Sequence, residues 1–434
     1  MKRVLIITYY WPPSGGSGVQ RWVKFAKYLP SEGWQPVIYT PENPELTAVD
    51  PSLAADIPEE AEIIRRHITE PYSLYRKLMG KGSSTDMKTL VTPISSTGRK
   101  TFRQRLSLFI RGNVFVPDPR VLWVRPSVRF LSKYLVENPV DVIITTGPPQ
   151  SMHLIGEELH RKTGIPWIPD FRDPWTKMYY LRHLGLTSLT WKILFSMEQD
   201  VLDHASKVLT VTPVVQEEYQ ARTTTPVAMI TNGYDEDDFK GKTMESDGYF
   251  NITHTGLLAA DGNPSLLWSI LGKKAASDEE FRNKLRIRLV GKVDSEVLRD
   301  MDAAGLSGNT VNLGYQGHDV AVREQLGASI LILPLRDDPE YFRILPGKLF
   351  EYLASRRPIL GIGQEDGAMA RVIRDCRAGT VCDFRGGDGM SAFIDSAWDS
   401  FRSGKPDDTT GDVSRYSRRS LTHSLAELLE DTIS

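Results

Sequence analysis

Residues 2–33 read KRVLIITYYWPPSGGSGVQRWVKFAKYLPSEG. Val4–Thr8 is a continuous apolar, β-branched run, the pattern of a parallel strand buried on both faces. The Gly/Ser loop PPSGGSG follows at Pro12–Gly18. Val19, Trp22, Phe25, Ala26 and Leu29 then recur at helical spacing, and Gly33 stands just past the expected helix end. The apolar run stops at Ile7, gives way to aromatics and prolines, and meets no small-residue cleavage site. It therefore reads as a first strand rather than a secretory leader. Strand, glycine loop and helix in this order open a doubly wound α/β sheet.

Working outward, Pro36–Tyr39, Asp141–Thr146, Ile165–Pro169 and Lys207–Val211 are the next expected strands, with residues 41–60 read as a Pro- and acid-rich loop. The second half repeats the pattern at Ile252–Thr255, Ile287–Val290, Val311–Leu313, Ile330–Leu333 and Ile359–Ile362. Two α/β halves in 434 residues suggest two Rossmann-like domains rather than one large sheet. The expected division is 1–228 and 229–411, with a junction near Pro226–Gly233. An amphipathic helix within 412–434, carrying Leu421, Leu425, Leu428 and Leu429, would complete the first domain.

Composition narrows the function class. With 40% hydrophobic and 25% charged residues and a net charge of −2, the chain is neither broadly disordered nor a dedicated nucleic-acid binder. No window is apolar enough for a membrane span. The two cysteines, Cys376 and Cys382, make neither a disulfide framework nor a zinc motif, which fits a reducing cytosol where they pack as small apolar residues.

Three segments could carry chemistry. Gly15, Gly16 and Gly18 would let backbone approach an anion at a helix start, although the loop is neither GxGxxG nor a P-loop and could be a plain surface loop. IPDFRDPW at 168–175 places Asp170, Arg172 and Asp173 at a strand end, where they could orient hydroxyls or act as a base. The alternative is a helix cap by Asp173. RILPGKLFEYLA at 343–354 puts Pro346 and Gly347 at a helix start with Lys348 and Glu351 one turn apart. There the helix amides, Lys348 and Arg343 could hold a diphosphate and Glu351 ribose hydroxyls; a surface Lys–Glu pair is the competing reading. His153, in TTGPPQSMH, could touch an acceptor or merely satisfy backbone groups.

The ordered set PPSGGSG, DFRDPW, TNGYD (231–235), THTGLL (253–258), RLVGKV (288–293) and PGKLFEYLA resembles the family 4 retaining glycosyltransferases over nearly the whole chain. The resemblance implies the GT-B fold, two Rossmann-like domains facing across a cleft whose closure excludes water, with a terminal helix crossing back to the first. It implies a nucleotide-sugar co-substrate held by the C-terminal domain and a glycan or lipid-linked glycan acceptor held by the N-terminal domain, with no cofactor. Bacterial surface polysaccharide assembly is the context it suggests. The catalytic candidates are Asp173, Arg172 and Glu351. Donor candidates are Gly15, Gly16, Gly256, Lys292, Arg343, Gly347, Lys348 and Glu351; acceptor candidates are Asp170, Arg172, Asp173 and His153. Glu351 matches the second of the family's two glutamates, whereas Arg343 occupies the place of the first. The family's phosphate-binding Arg/Lys pair is replaced by Leu257 and AADGNP, and its His by Arg172. No metal-ligand cluster stands out, so cationic side chains and a helix terminus are expected to neutralise the diphosphate. A nucleotide-sugar epimerase and a degenerate glycan- or partner-binding module are the alternatives.

Residues 99–133 hold nine Lys or Arg against one acid, Asp118. Phe102, Leu106, Phe109 and Ile110 share one helical face there. Such a stretch could rest on an anionic membrane surface, making a cytoplasmic protein peripheral to the inner face of the membrane. A solvated helix face is the plainer reading.

Overall fold

The computed structural model describes residues 1–45, 49–69, 108–110, 112–244, 247–404 and 410–434. The chain divides into two units, Met1–Thr231 with Arg419–Ser434, and Asn232–Arg418.

In the first unit the strands are β1 (Lys2–Ile7), β2 (Trp34–Pro41), β3 (Glu62–Arg66), β4 (Val142–Gly147), β5 (Trp167–Phe171), β6 (Val208–Thr210) and β7 (Val227–Met229). They form one sheet in the order β3-β2-β1-β4-β5-β6-β7, every pair parallel. Its helices are α1 (Ser17–Tyr28), α2 (Val121–Glu137), α3 (Ser151–Thr163), α4 (Ser188–His204) and α5 (Pro213–Gln220). In the second unit β8 (Phe250–Thr255), β9 (Leu285–Val290), β10 (Thr310–Gly314), β11 (Ile330–Pro334), β12 (Ile359–Ile362) and β13 (Gly379–Cys382) give the all-parallel order β10-β9-β8-β11-β12-β13. The helices there are α6 (Ser265–Ser277), α7 (Glu279–Lys284), α8 (Ser295–Ala303), α9 (His318–Leu326), α10 (Gly347–Ser355), α11 (Ala368–Asp375) and α12 (Gly387–Arg402). The chain ends in α13 (Arg418–Ile433).

The two-residue period of β1 assigns its side chains to two cores. Leu5 and Ile7 join the buried faces of α2, α3, α4 and α5, whereas Val4 and Ile6 join α1 and α13 through Trp22, Ala26, Leu425 and Leu429. Burial on both faces explains the uninterrupted apolar run. Strand order reverses between β1 and β4 and again between β8 and β11, and at such points the carboxyl edge of a sheet opens to ligands.

Three strands escaped the sequence reading. β3 is a half-buried edge strand ending in two arginines, and β7 and β13 are three and four residues long. β7 moves the expected division, because it pairs with β6 and carries the first unit on to Thr231 rather than 228. At the other end, residues 412–417 precede the returning helix, and together with its first residue, Arg418, they belong to the second unit. The Arg418 amide donates to the Tyr234 carbonyl at 2.7 Å, and Tyr416 packs on Phe350 with ring centroids 5.3 Å apart. Among the described residues no helix is long and apolar enough to cross a membrane. Cys376 and Cys382 are buried thiols.

Candidate functional site

At the carboxyl edge of the first sheet, Asp170 is completely buried at the end of β5. It accepts hydrogen bonds from Arg21 Nε (3.3 Å) and Nη2 (3.0 Å), Trp22 Nε1 (2.7 Å) and Thr146 Oγ1 (3.0 Å). Arg21 also donates to the Thr231 carbonyl at 2.8 Å. The expectation that Asp170 meets an acceptor is corrected: its acceptor capacity is taken up inside the fold, where it clamps α1 to β5. His153 is corrected too. It is buried in the first turn of α3, hydrogen-bonded through Nδ1 to Thr145 Oγ1 at 2.9 Å, with its ring 4.5 Å from Phe171. Burial pushes its pKa down to about 3, so it is neutral and shielded from an acceptor.

Arg172 and Asp173 stand differently. Arg172 donates from Nε to the Gly147 carbonyl (2.9 Å) and from Nη2 to that of Pro148 (2.7 Å), which fixes its guanidinium at the end of β4. A side chain at Gly18 would collide with this guanidinium, a physical need for one glycine of the loop. The half-buried Asp173 carboxylate has no hydrogen-bond partner among the described residues. Burial raises its pKa and Arg172 partly restores it. No helix starts at Asp173, since the next helical element is the 3-10 helix Tyr179–His183, so the capping alternative falls away. Gly16, at φ 108°, precedes α1 without a side-chain cap, and Gly15 lies against Asp50.

In the second unit three segments converge at the carboxyl edge by the switch point. Gly256 (φ 115°) directly follows β8 and Gly291 (φ 134°) directly follows β9. A side chain on Gly256 would run into that of Lys348, and one on Gly291 into the Gly256 carbonyl. Backbone is thereby held against backbone beneath the Lys348 ammonium. Gly347 opens α10, with Pro346 at its N-cap. Lys348 projects from that first turn and has no carboxylate partner among the described residues. One turn on, Glu351 Oε2 accepts from the buried Gln325 Nε2 at 2.9 Å, and the same amide donates to Thr255 Oγ1 at 3.2 Å. Its Oε1 faces His318 Nε2 at 3.9 Å, and His318 also faces Asp238 at 3.7 Å. The Tyr352 hydroxyl, pushed up to about 12 by burial, accepts from the Thr255 amide at 2.9 Å and locks α10 to β8. Beneath them the buried His254 is bonded to the Ile332 carbonyl and held neutral, its pKa lowered to about 4 first by burial and further by Lys348.

Arg343 corrects the expected charge supply. It is buried, paired with Glu340 within one 3-10 turn, and stacked 4.6 Å over Phe342, so its charge is neutralised locally. Lys292 is exposed beside Gly291, with no side-chain partner among the described residues, and its carbonyl accepts from the Leu258 amide at 2.9 Å. Arg21, Trp22, Gly291, His318, Gln325 and Tyr352 were not anticipated. Gly291 stood inside a quoted motif; Gln325 and His318 carry no local signal.

Of the basic stretch, residues 99–107 and Arg111, and so Arg103 and Arg105, lie outside the described residues. Arg120 is no surface cation, being buried 4.6 Å over the Tyr9 ring.

No protein-family model and no curated protein sequence matches the chain. Solved structures do. A glycosyltransferase from Rickettsia africae aligns over 100% of this chain and 99% of its own, with TM-score 0.61 and 13% identity. The Anabaena protein HepE, solved in complex with UDP-glucose, aligns over 99% and 100%, with TM-score 0.60 and 12% identity. A putative UDP-N-acetylglucosamine 2-epimerase from Listeria monocytogenes aligns over 99% and 96%, with TM-score 0.56 and 9% identity. Two parallel sheets of seven and six strands, each wound on both faces and matched end to end by these structures, give the chain the GT-B fold.

Proposed function

We propose that the protein is a cytoplasmic glycosyltransferase that moves a hexosyl or related sugar from a nucleoside-diphosphate sugar to a glycan or lipid-linked glycan, with retention of anomeric configuration, in surface polysaccharide assembly. The observation that carries the reading is the unpaired Lys348 over the Gly256–Gly291 contact, at the N-terminus of a helix whose next turn offers Glu351. A diphosphate placed there meets an ammonium, helix amides and bare backbone. These groups oppose the charge that grows on the departing diphosphate, so they act most strongly in the transition state. Glu351, pinned by Gln325 through one oxygen, keeps the other for ribose hydroxyls. In the first unit Asp173 is the free carboxylate suited to accept a hydrogen bond from an acceptor hydroxyl, with Arg172 fixed beside it. Membership in family 4, retention and the polysaccharide context rest on the sequence resemblance.

Epimerisation of a nucleotide sugar is a second reading, favoured by the end-to-end likeness to the Listeria protein. Calorimetry and thermal shift with UDP-, GDP-, dTDP- and ADP-sugars test the shared donor site. Lys348→Ala and Glu351→Gln are each expected to lose roughly 1.5–3 kcal/mol of nucleotide binding, the range for a charge-assisted hydrogen bond. Unchanged affinity in both variants removes the assignment. Asp173→Asn is expected to cut transfer to added glycan while nucleotide affinity stays near that of the wild type. Interconversion of the donor without an acceptor would decide for the epimerase.

A further inference from the structure

In the first unit, α2, α3 and α4 turn their buried sides to the sheet through Leu131, Leu135, Ile155, Leu159, Val201 and Leu202. Their outer surface carries two features that this packing leaves unused. On α2, Arg125, Arg129 and Lys133 follow one another at four-residue spacing, all exposed, none with a carboxylate partner among the described residues. Like charges at that spacing repel along a helix. They flank a groove of about 1040 Å³ between α2 and α3, with Val124, Val128, Leu154 and Ile165 among its apolar lining and Lys162, also unpartnered, on its far side. The two acids that line the groove are already engaged: Glu157 with His204 at 3.0 Å, Glu158 with Arg161 at 2.7 Å.

The second feature is apolar. The first half of α4 exposes Leu189 (68%), Ile193 (37%) and Phe195 (47%). Against it lies a short segment that exposes Phe109, Ile110 and Val114, tied down where Asn113 Oδ1 accepts from the Thr187 amide at 2.8 Å and from Thr190 Oγ1 at 2.7 Å. No acidic residue stands between Asp173 and Glu198. Apolar side chains alone would suit a protein partner, and cations alone a soluble polyanion. A bilayer with anionic headgroups is the partner that is apolar and anionic at once.

We propose that the outer face of α2–α4 docks on an anionic phospholipid surface, with the α4 residues entering the interface and Arg125, Arg129, Lys133 and Lys162 meeting headgroup phosphates. This narrows the contact to Arg125, Arg129 and Lys133 within residues 99–133, extends it to Lys162 and the apolar side chains of α4, and does not depend on the donor-site reading. The test is co-sedimentation of the full chain with vesicles of phosphatidylcholine, with and without phosphatidylglycerol. Binding is expected only with phosphatidylglycerol, and it should fall as salt rises. Arg125→Gln/Arg129→Gln/Lys133→Gln should weaken it about tenfold or more. Leu189→Ser/Phe195→Ser should leave a weaker binding that salt abolishes completely. Both variants alter exposed side chains, and thermal unfolding matching the wild type checks that they fold. Wild-type vesicle binding by the triple variant overturns the proposal, as does equal binding to neutral vesicles. Displacement by inorganic phosphate at fixed ionic strength would also overturn it, by showing a soluble-anion site. Nucleotide-sugar binding, measured without vesicles, reports separately on the donor site.

Discussion

At position 256 the backbone takes φ 115° with the Lys348 side chain directly over the α-carbon. Both conditions exclude a β-carbon, the first by strain and the second by collision. Gly256→Ala is therefore expected to displace Lys348, costing about 1–3 kcal/mol of stability and weakening nucleotide binding as Lys348→Ala does. Calorimetry that finds wild-type affinity would separate the glycine from the ammonium. His153 and His254 set a pH dependence. Their folded pKa values, about 3 and about 4, lie below the ordinary 6.5. Between those limits the unfolded chain binds protons that the folded chain refuses. The stability is fully present above the ordinary value and is lost as pH falls. Each histidine should cost about 2 kcal/mol on acidification from about pH 6.5 to pH 5, at about 1.4 kcal/mol per pH unit. His153→Gln should remove about one proton from the uptake on unfolding near pH 5; calorimetric unfolding in buffers of different ionisation heat measures it. Asp173 acts in the opposite sense, since its raised carboxyl pKa favours the folded state on acidification.

Elements show what a sequence can reveal about this fold. The strand of Val4–Ile7 and the helix after it were legible because burial on both faces removes polar residues and the 3.6-residue period places Trp22 and Ala26 together. The α10 start was legible from Pro346 and Gly347, and with it the one-turn spacing of Lys348 and Glu351. β3, β7 and β13 were not, because short edge strands with partly exposed faces have no periodic apolar signature. The site residues divide on similar grounds. A strand-end DFRD motif shows three candidates, Asp170, Arg172 and Asp173, for an edge position. Which carboxylate faces inward depends on Arg21, 149 residues away in the chain, and no local pattern encodes that pairing. Asp170 therefore read as functional when it is structural. The clamp between α1 and β5 can be tested directly. Arg21→Met leaves a buried, uncompensated carboxylate and should cost about 3–5 kcal/mol, whereas Arg21→Met with Asp170→Asn should recover much of the loss. Denaturant midpoints for the two single variants and the double variant measure the coupling. Strict additivity would mean that the pair is not the clamp.

On the scale of the whole molecule, the two units have separate cores, and the first is closed by the end of the chain. Leu421, Leu425, Ala426 and Leu429 on α13 are buried with Val4, Ile6, Trp22 and Ala26. Around this contact His423 Nδ1 meets Glu32 at 3.0 Å, Arg419 stacks 4.7 Å over Tyr28, and Lys2 pairs with Glu430. Three buried leucines correspond to roughly 5–8 kcal/mol of burial, comparable to the net stability of about 5–15 kcal/mol of a typical protein. The exposed ion pairs add little. Ending the chain at Arg418 should then destabilise the first unit and spare the second, whose sheet takes nothing from α13. Hydrogen exchange on the shortened chain would read this strand by strand. Protection is expected to fall at Val4–Ile7 and Val142–Thr145 while Ile252–Thr255 and Ile330–Leu333 keep theirs. Uniform loss in both sheets would mean that the units unfold as one cooperative body. Full protection of β1 and β4 would mean that α1 alone closes that face of the sheet.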